Sequence, residues 1–543
     1  MHSLTGKAGF LLGLIVAAVV LMTAPPEGLT EDAWIVVALT ALMAIWWATE
    51  AIPIPVTALL PIVFLPLSGV TSLSAATSPY ADPVVYLFLG GFILATAIEK
   101  WGLHRRIALG VVVTIGKDSH LLILAFMVAT ALISMWISNT AVTLMMAPIA
   151  IGVANSVDQK EDATPIAIPL LLGVAYAASI GGLMTPIGSP PNLVALGFLR
   201  QQYGLDISFG AWFAMAFPVG VLLLVMTWYL LTRRIFTVDK TLAVEAAVRL
   251  RQEYESAGPL TTPELRVIIV FSTVACAWIF RPLLVEIPGL SHLSDPGIAI
   301  AGAIALFLLP AGKNHNGVRL LDWQSAQKLP WGVILLFGGG LSLAAAISAT
   351  GLAAWIGANL TIGAGSLALL LISVVVLAAL MTELTSNTAT MATLAPVLGA
   401  VAVAAGYDPR LIILPAALAV NCAFMLPVAT PPNAIVFSSG HLTVPHMVRA
   451  GIRLNVVAIV VISAVACLVG PTLAGAGQPS GSTINSLDLS PDGTRLAVTS
   501  RAGFCCVLDL DSAGENPFAI GDGAKQEQWR WLFWKGEERP LRC

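Results

Sequence analysis

Charge is scarce in this chain. Of 543 residues, 27 are Lys or Arg and 30 are Asp or Glu, 10% in all, against about 25% in a soluble domain. So few charges cannot cover a water-soluble body of 56.7 kDa, and the 57% hydrophobic share and mean hydropathy of +0.88 agree. High hydrophobicity with little net charge also excludes a disordered chain. The net charge of −3 leaves no basic footprint, so no nucleic-acid partner is expected. The six cysteines (Cys276, Cys422, Cys467, Cys505, Cys506, Cys543) show no CxxC spacing and no Cys/His cluster, so neither a zinc site nor a disulfide framework is expected. Catalytic constellations are lacking too: there is no HExxH and no pair of intramembrane aspartates, which argues against an intramembrane enzyme and its cofactor chemistry.

What the chain has is apolar runs, continuing almost to residue 473. Stretches 33–48, 54–70, 84–98, 210–231, 267–285, 297–310, 331–349 and 452–473 predict transmembrane helices, each near or a little under the roughly 20 residues needed to cross a bilayer. Residues 8–24 could be a signal peptide. A first transmembrane helix is the better reading, because no A-x-A cleavage site follows and further spans come at once. Lys7 before that run and Glu27, Glu31 and Asp32 after it place the N-terminus in the cytoplasm, with the body in the cytoplasmic (inner) membrane. The segment 233–266 reads as a charged, solvated connector without a function of its own, and Trp46, Trp47 and Trp101 read as interfacial anchors. Residues 1–473 thus form one membrane body, 474–482 (AGAGQPSGS) a linker, and 483–543 an appended tail. The alternating pattern and Pro-Asp-Gly turn in 483–511 resemble a single propeller blade, which cannot close a ring alone. A membrane sensor signalling through this tail is the rival class.

Two apolar runs carry the same interruption at their centres. Ser138-Asn139-Thr140 and Ser386-Asn387-Thr388 each have a hydroxyl residue four positions earlier (Ser134, Thr382) and a proline ten positions after the serine (Pro148, Pro396), all at an offset of 248. A second pair follows: LMTPIGSPPNLVALG (183–197) and MLPVATPPNAIVFSSG (425–440), with Asn192 and Asn433 offset by 241. Upstream, 87–103 matches 336–352 at an offset of 249. The chain therefore contains an internal duplication, with repeat one at about 84–199 and repeat two at about 333–440. His104-Arg105-Arg106 and Lys117 precede only the first interruption, which predicts opposite membrane orientation of the halves.

Irregular backbone at membrane depth is tolerated only where it lines a cavity or binds an ion. A Ser-Asn-Thr near the middle of an apolar run of 30–35 residues suits a re-entrant helical hairpin. As i,i+4 pairs, Ser134/Ser138 and Thr382/Ser386 would each present two oxygens on one helix face, beside carbonyls at the arm's C-terminal end. Neutral oxygens of this kind suit a small hard cation such as sodium. The arm beyond the tip starts with Asn and Thr, good N-caps, and its free N–H groups suit an anion. Gly188 and Ala429 lie at the Pro-Pro breaks and can offer carbonyls; Ser189 and Thr430 add hydroxyls there. In segments 121–153, 165–199 and 411–440 there is no Asp, Glu, Lys or Arg, and in 366–406 only Glu383. A dianion here would be neutralised by cations and helix dipoles, without an arginine clamp. A single Ser-Asn-Thr is ordinarily an interhelical hydrogen-bonding patch; two copies with matching breaks point to a site. Glu383 is open to two readings, a brace for the hairpin arm or a proton relay.

At WWATEAIPIPVTALLP (46–61), both Ser-Asn-Thr tips, SPPN (189–192) and FMLPVATPPNAIVF (424–437), the sequence resembles the divalent-anion:sodium symporter family, carriers of dicarboxylates, citrate or sulfate. The resemblance spans roughly residues 30–473. It implies an all-α polytopic fold of two inverted repeats, eleven transmembrane helices and two re-entrant hairpins, working as a homodimer in membrane lipid. A transport domain would move as an elevator against a scaffold. It implies sodium site one at Ser134, Ser138, Asn139 and Gly188, and site two at Thr382, Ser386, Asn387 and Ala429. Substrate carboxylates would be held by Asn139, Thr140, Asn387 and Thr388, with Ser189, Thr430 and Pro431 beside them. Sodium ions would be the coupling ions, with no organic cofactor. The doubled Ser-Asn-Thr favours a C4-dicarboxylate as the small dianionic substrate; a sodium-independent dicarboxylate exchanger, or a citrate or sulfate carrier, is the alternative. One departure is Asn421, where the family usually has serine.

Overall fold

The computed structural model describes residues 4–157, 166–236, 238, 244–312, 315, 317–359 and 367–475, with strand segments between 484 and 542. The chain divides into two compact units, Met1–Gly470 and Pro471–Cys543.

The first unit is helical. It opens with α1 (Leu4–Met22), α2 (Glu31–Thr49), and the short α3 (Ile54–Thr57), α4 (Leu60–Leu67) and α5 (Leu73–Thr77). Six helices follow: α6 (Pro83–Lys100), α7 (Leu103–Ile115), α8 (Ser119–Ser134), α9 (Asn139–Val157), α10 (Ala167–Leu183) and α11 (Pro190–Tyr203). The middle comprises α12 (Phe209–Tyr229), α13 (Val244–Ser256), α14 (Thr262–Ile279), α15 (Arg281–Leu284), α16 (Asp295–Leu308) and α17 (Trp323–Ala326). Six more helices run in the order of the earlier set: α18 (Trp331–Ala349), α19 (Leu352–Asn359), α20 (Leu367–Met381), α21 (Asn387–Ala404), α22 (Pro409–Ala419) and α23 (Pro431–Ser438). The long α24 (Val444–Gly475) comes last.

Among the described residues, seven helical segments are long and apolar enough to cross a membrane: Glu31–Thr49, Leu73–Lys100, Phe209–Ile235, Thr262–Ile279, Trp331–Ala349, Asn387–Ala404 and Val444–Leu468. Their outer faces expose large apolar side chains (Ile269, Val456 and Val460 among them), surface that water would penalise and lipid accepts. At the centre sits α10, buried on every side. An all-round apolar helix is stable only in such surroundings. Its small residues let neighbours close in, and a Cβ on Gly181 would come within 2.4 Å of Ala131 O.

One expectation about the periphery needs correction. Trp46 and Trp47 are buried, at 6% and 1% exposure, and their indole N–H groups donate to Phe10 O and Ile54 O. Residues at the end of α2 are packed under α1 and α3, so their burial is against protein. The charged connector is largely exposed over 251–262 and is anchored to α7: the guanidinium of Arg106 bonds Glu264 and the carbonyls of Ala257, Gly258 and Pro259, while Arg105 pairs with Glu253 of α13. Glu264 simultaneously closes a capping box with Thr261 at the start of α14.

In the second unit, β1 (Ile484–Leu489), β2 (Arg495–Ser500) and β3 (Cys505–Asp509) form an antiparallel sheet in that order, with Leu487 opposite Val498 and Val498 opposite Cys506. The short β4 (Leu532–Phe533) and β5 (Leu541–Arg542) pair separately.

Candidate functional site

Both Ser-Asn-Thr motifs lie where one helix stops and the next starts. The first arm, α8, ends at Ser134 and α9 begins at Asn139; the counterpart arm α20 ends at Met381 and α21 begins at Asn387. This corrects the helical i,i+4 reading of the hydroxyl pairs, because Ser138 and Ser386 lie beyond the ends of the arms. Ser138 is instead the cap of α9, its hydroxyl accepting from Ala141 N at 3.2 Å. Ser386 occupies the same place before α21 without a side-chain cap bond.

The other hydroxyl of each pair builds a different arrangement. Ser134 Oγ lies 2.7 Å from Asn139 Oδ1 and 2.8 Å from Ala178 O. Thr382 Oγ1 lies 2.6 Å from Asn387 Oδ1 and 2.8 Å from Val420 O. In each cluster three oxygens converge, and the hydroxyl supplies the single proton shared among them. Ser134 and Thr382 are fully buried, which makes an excess of oxygen lone pairs costly unless a positive charge meets it. Neither Ala178 nor Val420 was singled out by the sequence. Backbone carbonyls carry no residue signature, although Val420 is the C-cap of α22, where carbonyls go free.

The breaks are stapled by their asparagines. Asn192 Nδ2 donates to Gly182 O (3.0 Å) and Thr185 O (2.8 Å); Asn433 Nδ2 donates to Ala423 O (3.1 Å) and Leu426 O (3.0 Å), the same ten- and seven-residue reaches. Ser189 and Thr430 are buried and open α11 and α23 as extended N-cap residues; Thr430 accepts from Asn433 N. Pro431 is exposed at the start of α23.

The first break touches the first tip. A Cβ on Gly182 would meet Asn139 Oδ1 at 2.5 Å, and one on Gly188 would meet Met135 O at 3.0 Å, so both glycines exist to let backbone and amide meet. Thr185, unremarked in the sequence, ties the two together: its hydroxyl donates to Met135 O and accepts from Gly188 N. Ala429 is buried, and its N–H closes onto Leu426 O at 3.2 Å; among the described residues no hydrogen bond joins it to Thr382 or Asn387.

The two halves interlock. Helix α9 packs on α23, and α21 packs on α11, so each hairpin's second arm lies against the opposite half's broken helix. Asn421 Nδ2 donates to Asn192 Oδ1 at 2.8 Å, a direct bond from one break to the other. Asn139, Thr140, Asn387 and Thr388 are half-buried, at once anchored by the tips and reachable. Glu383, the charge of the second tip, is buried with its carboxylate bonded to backbone N–H groups of residues 424–426.

The overall helical fold resembles that of two solved membrane proteins. Neisseria gonorrhoeae MtrF, described as illuminating a class of antimetabolite efflux pumps, superposes with a TM-score of 0.54 at 14% identity, over 85% of this chain and 94% of that one. The Alcanivorax borkumensis YdaH transporter gives 0.51 at 16% identity, over 87% and 98%. At that identity the likeness is one of fold, a polytopic helical architecture. The particular family follows from sequence: residues 5–475 match the sodium:sulfate symporter transmembrane region, and the chain belongs to that family. Among its relatives are the sodium-dependent dicarboxylate transporters SdcS of Staphylococcus saprophyticus and Staphylococcus aureus, each 38% identical over 476 residues, 86% of this chain and 92% of the relative.

Proposed function

We propose that this protein is a sodium-coupled secondary active transporter that carries C4-dicarboxylates of the succinate, malate and fumarate type across the cytoplasmic membrane. The observation that carries the reading is the duplicated, proton-poor oxygen cluster: Ser134, Asn139 and Ala178 in one half, Thr382, Asn387 and Val420 in the other. Buried neutral oxygens of this kind suit a hard monovalent cation, and the names of the staphylococcal relatives favour sodium and a dicarboxylate over sulfate. Sodium site one would comprise Ser134, Asn139 and Gly188, with Ser138 at the arm's cap. Site two would comprise Thr382, Asn387 and Ala429, with Ser386 in the corresponding place. With both cations bound, Asn139, Thr140, Asn387 and Thr388 would hold the two carboxylates from opposite sides, flanked by Ser189, Thr430 and Pro431. The N-termini of α9 and α21 would add their positive ends.

In this reading the halves are inverted repeats within eleven transmembrane helices. The two hairpins are re-entrant, with the N-terminus in the cytoplasm. The interlocked hairpins and broken helices would move as an elevator domain against a scaffold in a homodimer. Residues 1–473 would suffice for transport, with 474–482 a linker and 483–543 an appendage. Uptake of labelled succinate into proteoliposomes under an inward sodium gradient tests the coupling. Accumulation that collapses without sodium is expected; equal uptake driven by internal succinate alone would mark a sodium-independent exchanger.

A further inference from the structure

Glu383 is a buried ionisable group that this reading leaves without a task. It is 2% exposed and follows Thr382 directly. Oε1 accepts from Phe424 N (2.7 Å), Met425 N (3.0 Å) and Asn455 Nδ2 of α24 (2.7 Å); Oε2 accepts from Met425 N (3.1 Å) and Leu426 N (3.2 Å). All of these partners are donors, an arrangement that fits an ionised carboxylate gripping a run of backbone N–H groups.

The other half has no such grip. The counterpart of Glu383, 248 residues earlier, is Met135. Correspondingly, α10 continues to Leu183, whereas α22 stops at Ala419, whose counterpart at the 241 offset is Ala178. The first break is therefore 184–189 and the second 420–430. A helix continued past Ala419 would have paired Phe424 N with Val420 O. Instead Phe424 N goes to Glu383, and Val420 O receives the Thr382 hydroxyl.

We propose that Glu383 is the positioning residue of the second half-site. Its carboxylate draws residues 424–426 off the helical path, which leaves Val420 O without a helical N–H beside Thr382 and Asn387, whereas Ala178 O joins the first cluster from within α10. The same fixed negative charge, absent from the first half, favours a cation there. The two half-sites are consequently unequal, and the second binds its cation more tightly. This inference rests on reading the oxygen clusters as sodium sites.

Glu383→Gln in the full-length protein tests it with two readouts. The sodium concentration giving half-maximal succinate uptake should rise about ten-fold or more, while KM for succinate at saturating sodium changes less than about three-fold. Amide hydrogen exchange over 420–426 should accelerate at least about ten-fold, with α14 (Thr262–Ile279), outside both half-sites, unchanged as the internal control of folding. Unchanged exchange over 420–426, or an unchanged sodium requirement, overturns the proposal. If the unaltered protein proves indifferent to sodium, the coupling reading fails, yet the exchange readout still decides whether Glu383 holds the break. Should Glu383→Gln fail to fold, Asn455→Leu removes a single bond to the carboxylate. Both readouts should then shift the same way by a smaller factor, and no shift in either counts against the proposal.

Discussion

At the scale of the residue, the account turns on oxygen atoms that outnumber their protons. The Asn139 amide reaches Ser134 only because Gly182 has no side chain; an added Cβ would lie 2.5 Å from Oδ1. Gly182→Ala should therefore displace the amide and weaken cation binding. Disturbing one buried polar contact costs about 1–3 kcal/mol, which corresponds to a roughly 5- to 150-fold higher sodium requirement. Asn139→Ala and Asn387→Ala should abolish succinate binding outright. Gly340 provides the contrast: in α18 a Cβ there would meet only Ala392 Cβ, at 3.6 Å. Gly340→Ala should leave sodium-dependent uptake within about two-fold of the unaltered protein. Equal effects of the two glycine substitutions would refute the close-approach argument.

At the scale of the element, the breaks behave as a coupled pair. Asn421 bridges to Asn192, which is itself stapled across the first break. The shorter side chain of Asn421→Ser cannot keep that bond and leaves a buried Asn192 oxygen unpaired. The expected cost is about 1–3 kcal/mol, read as a lower unfolding temperature in detergent; an unaltered unfolding temperature would show the bridge to be idle. Much of this level was legible in the sequence. The Pro-Pro-Asn triplets and doubled Ser-Asn-Thr located both tips and both breaks, because proline and N-cap preferences are local physics. What the sequence could not convey was tertiary. The arms end four and five residues before the serines that seemed to lie on them, Thr185 ties tip to break through a backbone carbonyl, and Ala178 and Val420 contribute main-chain oxygens that any residue type would carry. The burial of Trp46 and Trp47 was hidden for the same reason: whether an indole near a helix end meets lipid or protein depends on what packs there.

At the scale of the whole molecule, the helical unit Met1–Gly470 contains every residue of the candidate site, and the strand-bearing unit Pro471–Cys543 contains none. Truncation after residue 475 should leave sodium-driven succinate uptake within about two-fold; complete loss in a correctly inserted, well-folded truncation would assign the tail a part in transport. The central claim is that bound cations create the affinity for a dianion in a pocket that has no cationic side chain of its own. Linkage then requires sodium and succinate to strengthen each other's binding by the same factor. Equilibrium binding of succinate to the purified protein, at matched ionic strength in sodium and in choline, measures that factor most directly. The account predicts affinity at least about 100-fold weaker in choline, whereas equal affinity in the two buffers would contradict it.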